Sequence, residues 1–187
     1  MHKKDELRTK LKTIRRQLTA EHITKKSSVI CKKITELKQY ESADTVLAYL
    51  AVRGEVDVRD LISTALASGK RVAVPKVSGQ EMDFYAISDF SCLEIGAFGI
   101  PEPNTGICEK YLPGENDIIC VPGVAFSESG GRIGQGSGYY DRYLQKNKNL
   151  YKIGIGYDFQ ILQNDAFETE AHDISMDIII SSKGEAR

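Results

Sequence analysis

Apolar positions along this chain recur with two different periods. Leu7, Leu11, Ile14 and Leu18 fall at helical spacing and predict a first helix over about residues 3–18. Thr19-Ala-Glu-His22 reads as a helix start: Thr supplies an N-cap, but His stands where a full capping box has Glu or Gln. A second helix follows, with Ile23, Val29, Ile30, Ile34 and Leu37 on its apolar face. The pattern then shortens. Thr45–Leu50 is a compact apolar run that reads as a buried strand. Val58–Ala67 is helical again, ended by Gly69 as the C′ residue. Arg71–Pro75 reads as a strand stopped by its proline, and Met82–Ile87 as a strand with partial alternation. Residues 96–116 carry seven Gly and Pro with little periodicity and predict an irregular connector. Asp117–Pro122 is a third buried run, Tyr139–Gln145 resumes helical character, and Lys152–Tyr157 and Asp177–Ser181 are late strands.

Short apolar runs alternating with helices predict a mostly parallel sheet with helices on both faces. The expected architecture is one α/β domain over residues 1–187, a three-layer Rossmann-like sandwich. Residues 1–38 form a basic N-terminal helical arm packed on that core. The chain shows no internal repeat, low-complexity segment or long linker.

Composition narrows the classes. With 41% hydrophobic residues and a net charge of −1 over 187 residues, disorder is excluded as the dominant state. No apolar run approaches the roughly 18 residues of a membrane span. The charged opening, Met1 to Glu6, lacks the apolar stretch of a secretory signal. Cys31, Cys92, Cys108 and Cys120 show no CxxC spacing and have no neighbouring histidine, which argues against a zinc or redox motif. They read as reduced thiols, and the expected location is cytoplasmic.

The small net charge conceals an asymmetry: residues 1–38 hold 12 Lys/Arg against 4 Asp/Glu, and the rest of the chain 13 against 22. A basic arm suits nucleic acid, a membrane surface, or a phosphate ligand held by the rest of the chain. Nucleic-acid binding calls for interleaved exposed aromatics, and the arm has no Phe, Trp or Tyr before Tyr40. Neither nucleic acid nor membrane is therefore an expected partner. Most of these charges read as a solvated helix face.

The segment richest in chemistry runs from Pro122 to Arg142. It follows a predicted strand, leads into a predicted helix, and places Gly130, Gly131, Gly134, Gly136 and Gly138 within nine residues. Such a loop lets backbone N–H groups approach an anion, and the helix behind it adds its positive end. Arg132 adds a fork of donors matched to phosphate oxygens. The loop is not a P-loop, because no Gly-Lys-Ser/Thr follows. It does not fit GxGxxG either, since the third glycine would fall at Tyr139. The residues alone indicate a phosphate-ligand loop and leave open which enzyme uses it, a sugar-phosphate isomerase on a similar scaffold included.

Pro122-Gly123-Val124-Ala125-Phe126, followed by Gly130-x-Arg132-Ile133-Gly134-x-Gly136-x-Gly138-Tyr139-Tyr140-Asp141-Arg142, resembles the signature of the 5-formyltetrahydrofolate cyclo-ligase (methenyltetrahydrofolate synthetase) family. Lys4 to Arg8, Gly54-Glu55-Val56-Asp57, Gly99 to Pro103, Gly156 to Gln160 and His172-Asp173-x-x-Met176-Asp177 extend the likeness along nearly the whole chain. It implies conversion of 5-formyltetrahydrofolate, polyglutamylated or not, to 5,10-methenyltetrahydrofolate. It further implies ATP as co-substrate, Mg²⁺ as cofactor, and release of ADP and phosphate.

The resemblance also implies site residues. ATP would meet Lys4, Asp5, Glu6, Leu7 and Arg8 of the first helix, together with Arg132, Ile133, Gly134, Gln135, Gly136, Ser137, Gly138, Tyr139 and Tyr140. Folate would meet Leu50, Glu55, Gln135, Gly136, Ser137, Gly138 and Tyr139. Arg132 and Tyr139 would serve catalysis, Asp141 and Asp173 would hold Mg²⁺, and His172 would either support Asp173 or simply be a polar residue of the surface. Read alone, Asp141 is simply an acid in the first turn of a helix. Ser127 stands where many members have Asp, and Gln135 and Ser137 occupy variable positions whose effect would fall on nucleotide affinity or polyglutamate preference. A monomer is expected.

Overall fold

The computed structural model describes residues 3–96, 99–164, 166–169 and 173–186. Helices α1 (Lys3–Arg16), α2 (Ala20–Thr35) and α3 (Lys38–Ser42) lead into strand β1 (Thr45–Leu47). The Thr19 hydroxyl accepts from the His22 N–H at 3.2 Å, so α2 begins at the cap expected. Helix α4 (Arg59–Ala67) is followed by β2 (Arg71–Ser78), β3 (Glu81–Ile87), and three short strands, β4 (Leu93–Ile95), β5 (Pro101–Pro103) and β6 (Lys110–Tyr111). Then come β7 (Asp117–Pro122), β8 (Ala125–Ser127), β9 (Arg132–Ile133), α5 (Tyr139–Lys146) and β10 (Tyr151–Ile155). β11 (Ile161–Leu162), β12 (Ile178–Ile180) and β13 (Glu185–Ala186) complete the order.

Eight strands form the main sheet in the order β13-β12-β10-β7-β1-β2-β3-β6. The five from β12 to β2 are mutually parallel, and the antiparallel strands lie at the two edges. Successive side chains of each strand enter different cores, as the pleat requires. Val46, Val72, Ile118, Cys120 and Ile153 pack with Ile30 and Ile34 of α2 and Leu61 and Ile62 of α4. Leu47, Ala73, Ile119, Val121 and Ile179 pack with Tyr143 and Leu144 of α5. The three-layer expectation holds. Among the described residues, no helix is long and apolar enough to cross a membrane, and all four cysteines are free thiols.

Several boundaries differ from the sequence reading. β1 ends at Leu47, not Leu50; the Ala48 N–H still donates to the Ala73 carbonyl at 2.9 Å, and the chain leaves the ladder after it, at the C-terminal edge of the sheet. β2 does not stop at Pro75 but continues to Ser78, with Pro75 opposite Phe84. The proline is tolerated because β1 pairs only as far as Ala73, so β2 is bound on one side beyond that point. The stretch 96–116 contains strands after all: β5 pairs with β4, and β6 extends the main sheet beyond β3. Two- and three-residue strands carry too little pattern to be read.

A second small sheet, β11-β8-β9, sits at the C-terminal ends of β7 and β10. Its anchor is Phe126, fully buried. A Cβ on Gly154 would lie 2.8 Å from the Phe126 ring and 2.9 Å from Met176, and a Cβ on Gly123 would lie 2.5 Å from the same ring. Glycine is therefore needed in β10 for close approach, which explains an otherwise weak strand residue. Helix α1 covers this sheet, with Leu11 packed among Val124, Ala125, Ile133 and Phe167. Gly154→Ala should push Phe126 off its seat and cost roughly 1–3 kcal/mol of stability, the usual range for overpacking. Denaturant unfolding of the variant against the parent checks it, and an unchanged midpoint would contradict this account of the packing.

Candidate active site

In a parallel sheet, ligands bind beyond the C-terminal ends of the strands where the strand order reverses. Here that point lies between β1 and β7. Two cavities open there. The larger, about 570 Å³, is lined by Tyr49, Leu50, Val52 and Glu55 after β1, and by Pro75, Val77, Gly79 and Met82 from β2, β3 and their turn. Ile100, Pro101 and Glu102 add a further wall, and Arg132, Gln135, Ser137, Tyr139 and Tyr140 close it from the glycine loop and α5. The smaller, about 250 Å³, is lined by Lys4, Arg8, Ile133, Gly136, Arg142, Gln145 and Asp173. Arg132, Gly134, Gly138 and Asp141 line both, so the two spaces meet there.

The shared wall is held by an ion pair. The Arg132 side chain is 4% exposed, and its Nη2 donates to Asp141 Oδ1 at 2.7 Å. Nη1 donates to the Pro122 carbonyl at 3.3 Å, and the guanidinium lies 5.7 Å from the Tyr140 ring centre. Arg132 Nε is buried and has no partner within the protein. Gly138 begins α5 in the left-handed region at φ 67°, and no side chain caps the helix. The first turn of α5 therefore has no side-chain acceptor at its cap.

α1 reaches this cavity from its first turns. Lys4 Nζ donates to Asp173 Oδ2 at 2.8 Å, and Arg8 Nε donates to the Gly134 carbonyl at 3.1 Å. Arg8 also bonds Asp5 within its own helix at 2.6 Å. In the larger cavity, Glu55 is 8% exposed. Its Oε2 accepts from the Val52 N–H at 3.3 Å and its Oε1 from Gln135 Nε2 at 3.2 Å. Burial pushes the Glu55 carboxyl above its ordinary range, against the pull of Arg15 and these hydrogen bonds. Burial likewise raises the Tyr140 phenol far above the ordinary range.

Most of the residues implied by the resemblance converge here, divided between the cavities. Lys4, Arg8, Ile133, Gly136 and Asp173 line the smaller cavity alone. Leu50, Glu55, Gln135, Ser137, Tyr139 and Tyr140 line the larger alone. Asp5, Glu6 and Leu7 line neither; Asp5 serves Arg8, Glu6 is exposed, and Leu7 packs toward the core under α1. The Tyr139 hydroxyl is occupied by the Gly79 carbonyl at 3.1 Å, so Tyr139 offers its ring to the cavity. His172 lies outside the described residues. Asp141 and Asp173 line one cavity, but no group of three or more metal-ligating side chains exists among the described residues.

Two buried polar residues have roles the sequence reading did not assign, although Gln160 ends the Gly156–Gln160 motif. Gln160 Nε2 donates to the carbonyls of Gly123 and Val124, both at 2.9 Å, and its Oε1 accepts from the Tyr157 N–H. It fixes the chain at the start of the glycine segment. Arg15 is 4% exposed, and its Nη1 lies 3.5 Å from Glu55 Oε1. Its signal was an arginine on the stripe formed by Leu11, Ile14 and Leu18.

Comparisons with known proteins agree with this geometry. The model of the 5-formyltetrahydrofolate cyclo-ligase family matches residues 1–182. A probable 5-formyltetrahydrofolate cyclo-ligase from Schizosaccharomyces pombe is 35% identical, over 96% of this chain and 95% of its own. The 5-formyltetrahydrofolate cyclo-ligase of Haemophilus influenzae is 29% identical over 95% and 97%. The solved structure of 5,10-methenyltetrahydrofolate synthetase from Aquifex aeolicus superposes with a TM-score of 0.86 at 36% identity, covering 98% of this chain and 92% of that one. A match over the whole domain, together with the arrangement of loop, arm and Glu55, places this chain in the 5-formyltetrahydrofolate cyclo-ligase family.

Proposed function

We propose that the protein converts 5-formyltetrahydrofolate to 5,10-methenyltetrahydrofolate at the expense of ATP. The observation that carries this reading is the junction of two unlike cavities at Arg132. One is large, mostly apolar and furnished with a buried carboxylate. The other is small and set with Lys4, Arg8, Arg132 and Arg142 against a glycine loop. The first suits a pterin and its aromatic tail; the second suits a polyphosphate.

The chemistry needs that junction. A formamide oxygen is a poor leaving group. Transfer of the γ-phosphoryl group from ATP to the formyl oxygen releases ADP and makes it a good one. N10 then attacks the formyl carbon, the C–O bond breaks with departure of phosphate, and loss of the N10 proton leaves the methenyl bridge. The protein's share is positioning and charge stabilisation. Arg132 stands where the transferred group would pass, with Nε unspent. Lys4 and Arg8 hold the nucleotide, Glu55 accepts from the pterin edge, and the rings of Tyr139 and Tyr140 wall the folate.

Asp141 and Asp173 give the smaller cavity a hard-oxygen donor pair suited to Mg²⁺, which commonly takes one or two carboxylates and fills the rest with phosphate oxygens and waters. Asp141 spends Oδ1 on Arg132, which leaves Oδ2 for a cation. Bound there, the metal would neutralise phosphate charge.

The direct test mixes protein, Mg-ATP and 5-formyltetrahydrofolate and follows the near-ultraviolet absorbance of the methenyl product. Absence of signal with both mono- and polyglutamylated substrate sinks the reading. In the same assay, Arg132→Ala should lower turnover at least about a hundredfold, about 2.7 kcal/mol of barrier. Near-normal turnover at saturating ATP would remove Arg132 from the catalytic list. Lys4→Ala/Arg8→Ala should raise the KM for ATP more than that for folate, whereas changing Lys32 and Lys33 to Ala should do little; equal effects would reduce the arm to general charge. Asp141→Asn should impair Mg-ATP use sharply. Asp173→Asn should show a milder defect, partly rescued by excess Mg²⁺. A magnesium titration that neither variant shifts would make both acids structural.

A further inference from the structure

Glu55 reaches the larger cavity on a strained turn. Arg53, at φ 51°, is the one non-glycine residue with positive φ among the described residues, and Gly54 follows at φ 77°. A Cβ on Gly54 would lie 3.2 Å from the Arg15 carbonyl, so this turn sits hard against the end of α1. From that end the buried Arg15 side chain reaches Glu55 Oε1, the same oxygen that accepts from Gln135 of the glycine loop. Arg15 lines neither cavity. A buried guanidinium is costly without an anion, and α1 keeps one where its apolar stripe would take a leucine.

We propose that Arg15 is a positioning residue for folate binding: it holds the Glu55 carboxylate in register with Gln135, as a fixed acceptor for the N–H groups of the pterin edge. This rests on the reading of the larger cavity as the folate site. Without Arg15 the hydrogen bonds that orient the carboxylate would be those from the Val52 N–H and the Gln135 amide. Its charge would also be harder to keep. Burial raises the Glu55 carboxyl, and Arg15 is the largest opposing influence. Arg53 on the same turn adds a weaker pull, and the phenols of Tyr49 and Tyr140 face it from β1's end and α5. Tyr157 spends its hydroxyl on the Glu55 carbonyl, not the carboxylate. Removing Arg15 therefore moves Glu55 toward protonation at a higher pH.

The test measures kcat and both KM values from acid to neutral pH for the parent, Arg15→Gln, Arg15→Lys, Glu55→Gln and the double Arg15→Gln/Glu55→Gln. Arg16→Lys, at an exposed position of α1, serves as control. Circular dichroism melts report folding. Arg15→Gln should raise the KM for 5-formyltetrahydrofolate about tenfold or more, with the KM for ATP within about threefold of the parent. Its acid limb for folate binding should move to higher pH. Arg15→Lys should recover most of the limb, because it keeps the charge. Glu55→Gln should abolish the limb, and adding Arg15→Gln to it should change folate KM little further, since the two act as one unit.

Should Arg15→Gln prove unfolded, the double variant, which leaves no lone buried charge, and Arg15→Lys carry the comparison. A folded Arg15→Gln with parental folate KM and an unmoved acid limb overturns the proposal and leaves Arg15 a stabilising contact only. Equal rises in the KM for folate and for ATP overturn it too, because they mark a general loosening of α1. A parent enzyme without cyclo-ligase turnover defeats the functional reading itself, and the proposal with it. Parental turnover with unresponsive Arg15 variants defeats the proposal alone.

Discussion

A guanidinium as deeply buried as that of Arg132 must be answered by an anion, and the way this fold answers it organises both cavities. The answer comes from Asp141, in the first turn of α5, where a carboxylate also complements the helix dipole. The pair ties β9 to α5 across the glycine loop, and the bond to the Pro122 carbonyl adds the end of β7. Three elements are thus fixed around one planar cation. The pair is not saturated: Arg132 Nε remains a buried donor without a protein partner. A buried donor left unpaired is costly. Under the proposed function, a phosphate oxygen is the acceptor that would relieve that cost.

α1 is the second support, and it explains why the basic charge of the chain is gathered at one end. Leu11 and its neighbours seat the helix on the small sheet that carries Arg132. Lys4, Arg8 and Arg15 then project along it. At 1.5 Å per residue, Lys4 and Arg15 are separated by about 16 Å of helix, so one helix reaches both the lining of the smaller cavity and Glu55 of the larger. Of the remaining basic residues, Lys26 closes onto Asp158 and Ser182, whereas Lys32 is largely exposed. The basic charge of the arm is therefore partly spent on contacts within the fold and partly solvated surface.

The fold was legible where the pattern was long. The helices of the arm, the buried runs of β1, β7 and β10, and the strand–glycine loop–helix order all follow from periodicity and from glycines that only a tight loop explains. The extension of β2 through Pro75 was not legible, because tolerance of that proline depends on where β1 stops. The strands within 96–116 were too short to show a period. In the site, the glycine loop and Arg132 were legible from the residues alone and Glu55 through the motif resemblance, and the geometry then divided the lining between two cavities. The roles of Arg15 and Gln160 stayed hidden for one reason: a polar residue at a core position advertises burial only when its partner is known, and those partners lie 40 and 36 residues away.

The larger cavity depends in turn on a tether remote from the chemistry. Ile100, Pro101 and Glu102 belong to the β4–β5 hairpin, which is short and paired with no strand of the main sheet. Lys76 of β2 holds it there: its Nζ donates to the Pro103 carbonyl at 3.1 Å and to Glu94 Oε1 at 3.0 Å, with Glu102 Oε2 at 3.7 Å. Under the proposed phosphoryl transfer, in which water would compete with a formyl oxygen for the phosphoryl group, this wall would matter by keeping water out. β2 can present Lys76 to the hairpin only because it continues past Pro75, beyond the reach of β1. The extension that the sequence conceals thus places both Val77, in the cavity lining, and the cation that secures the opposite wall.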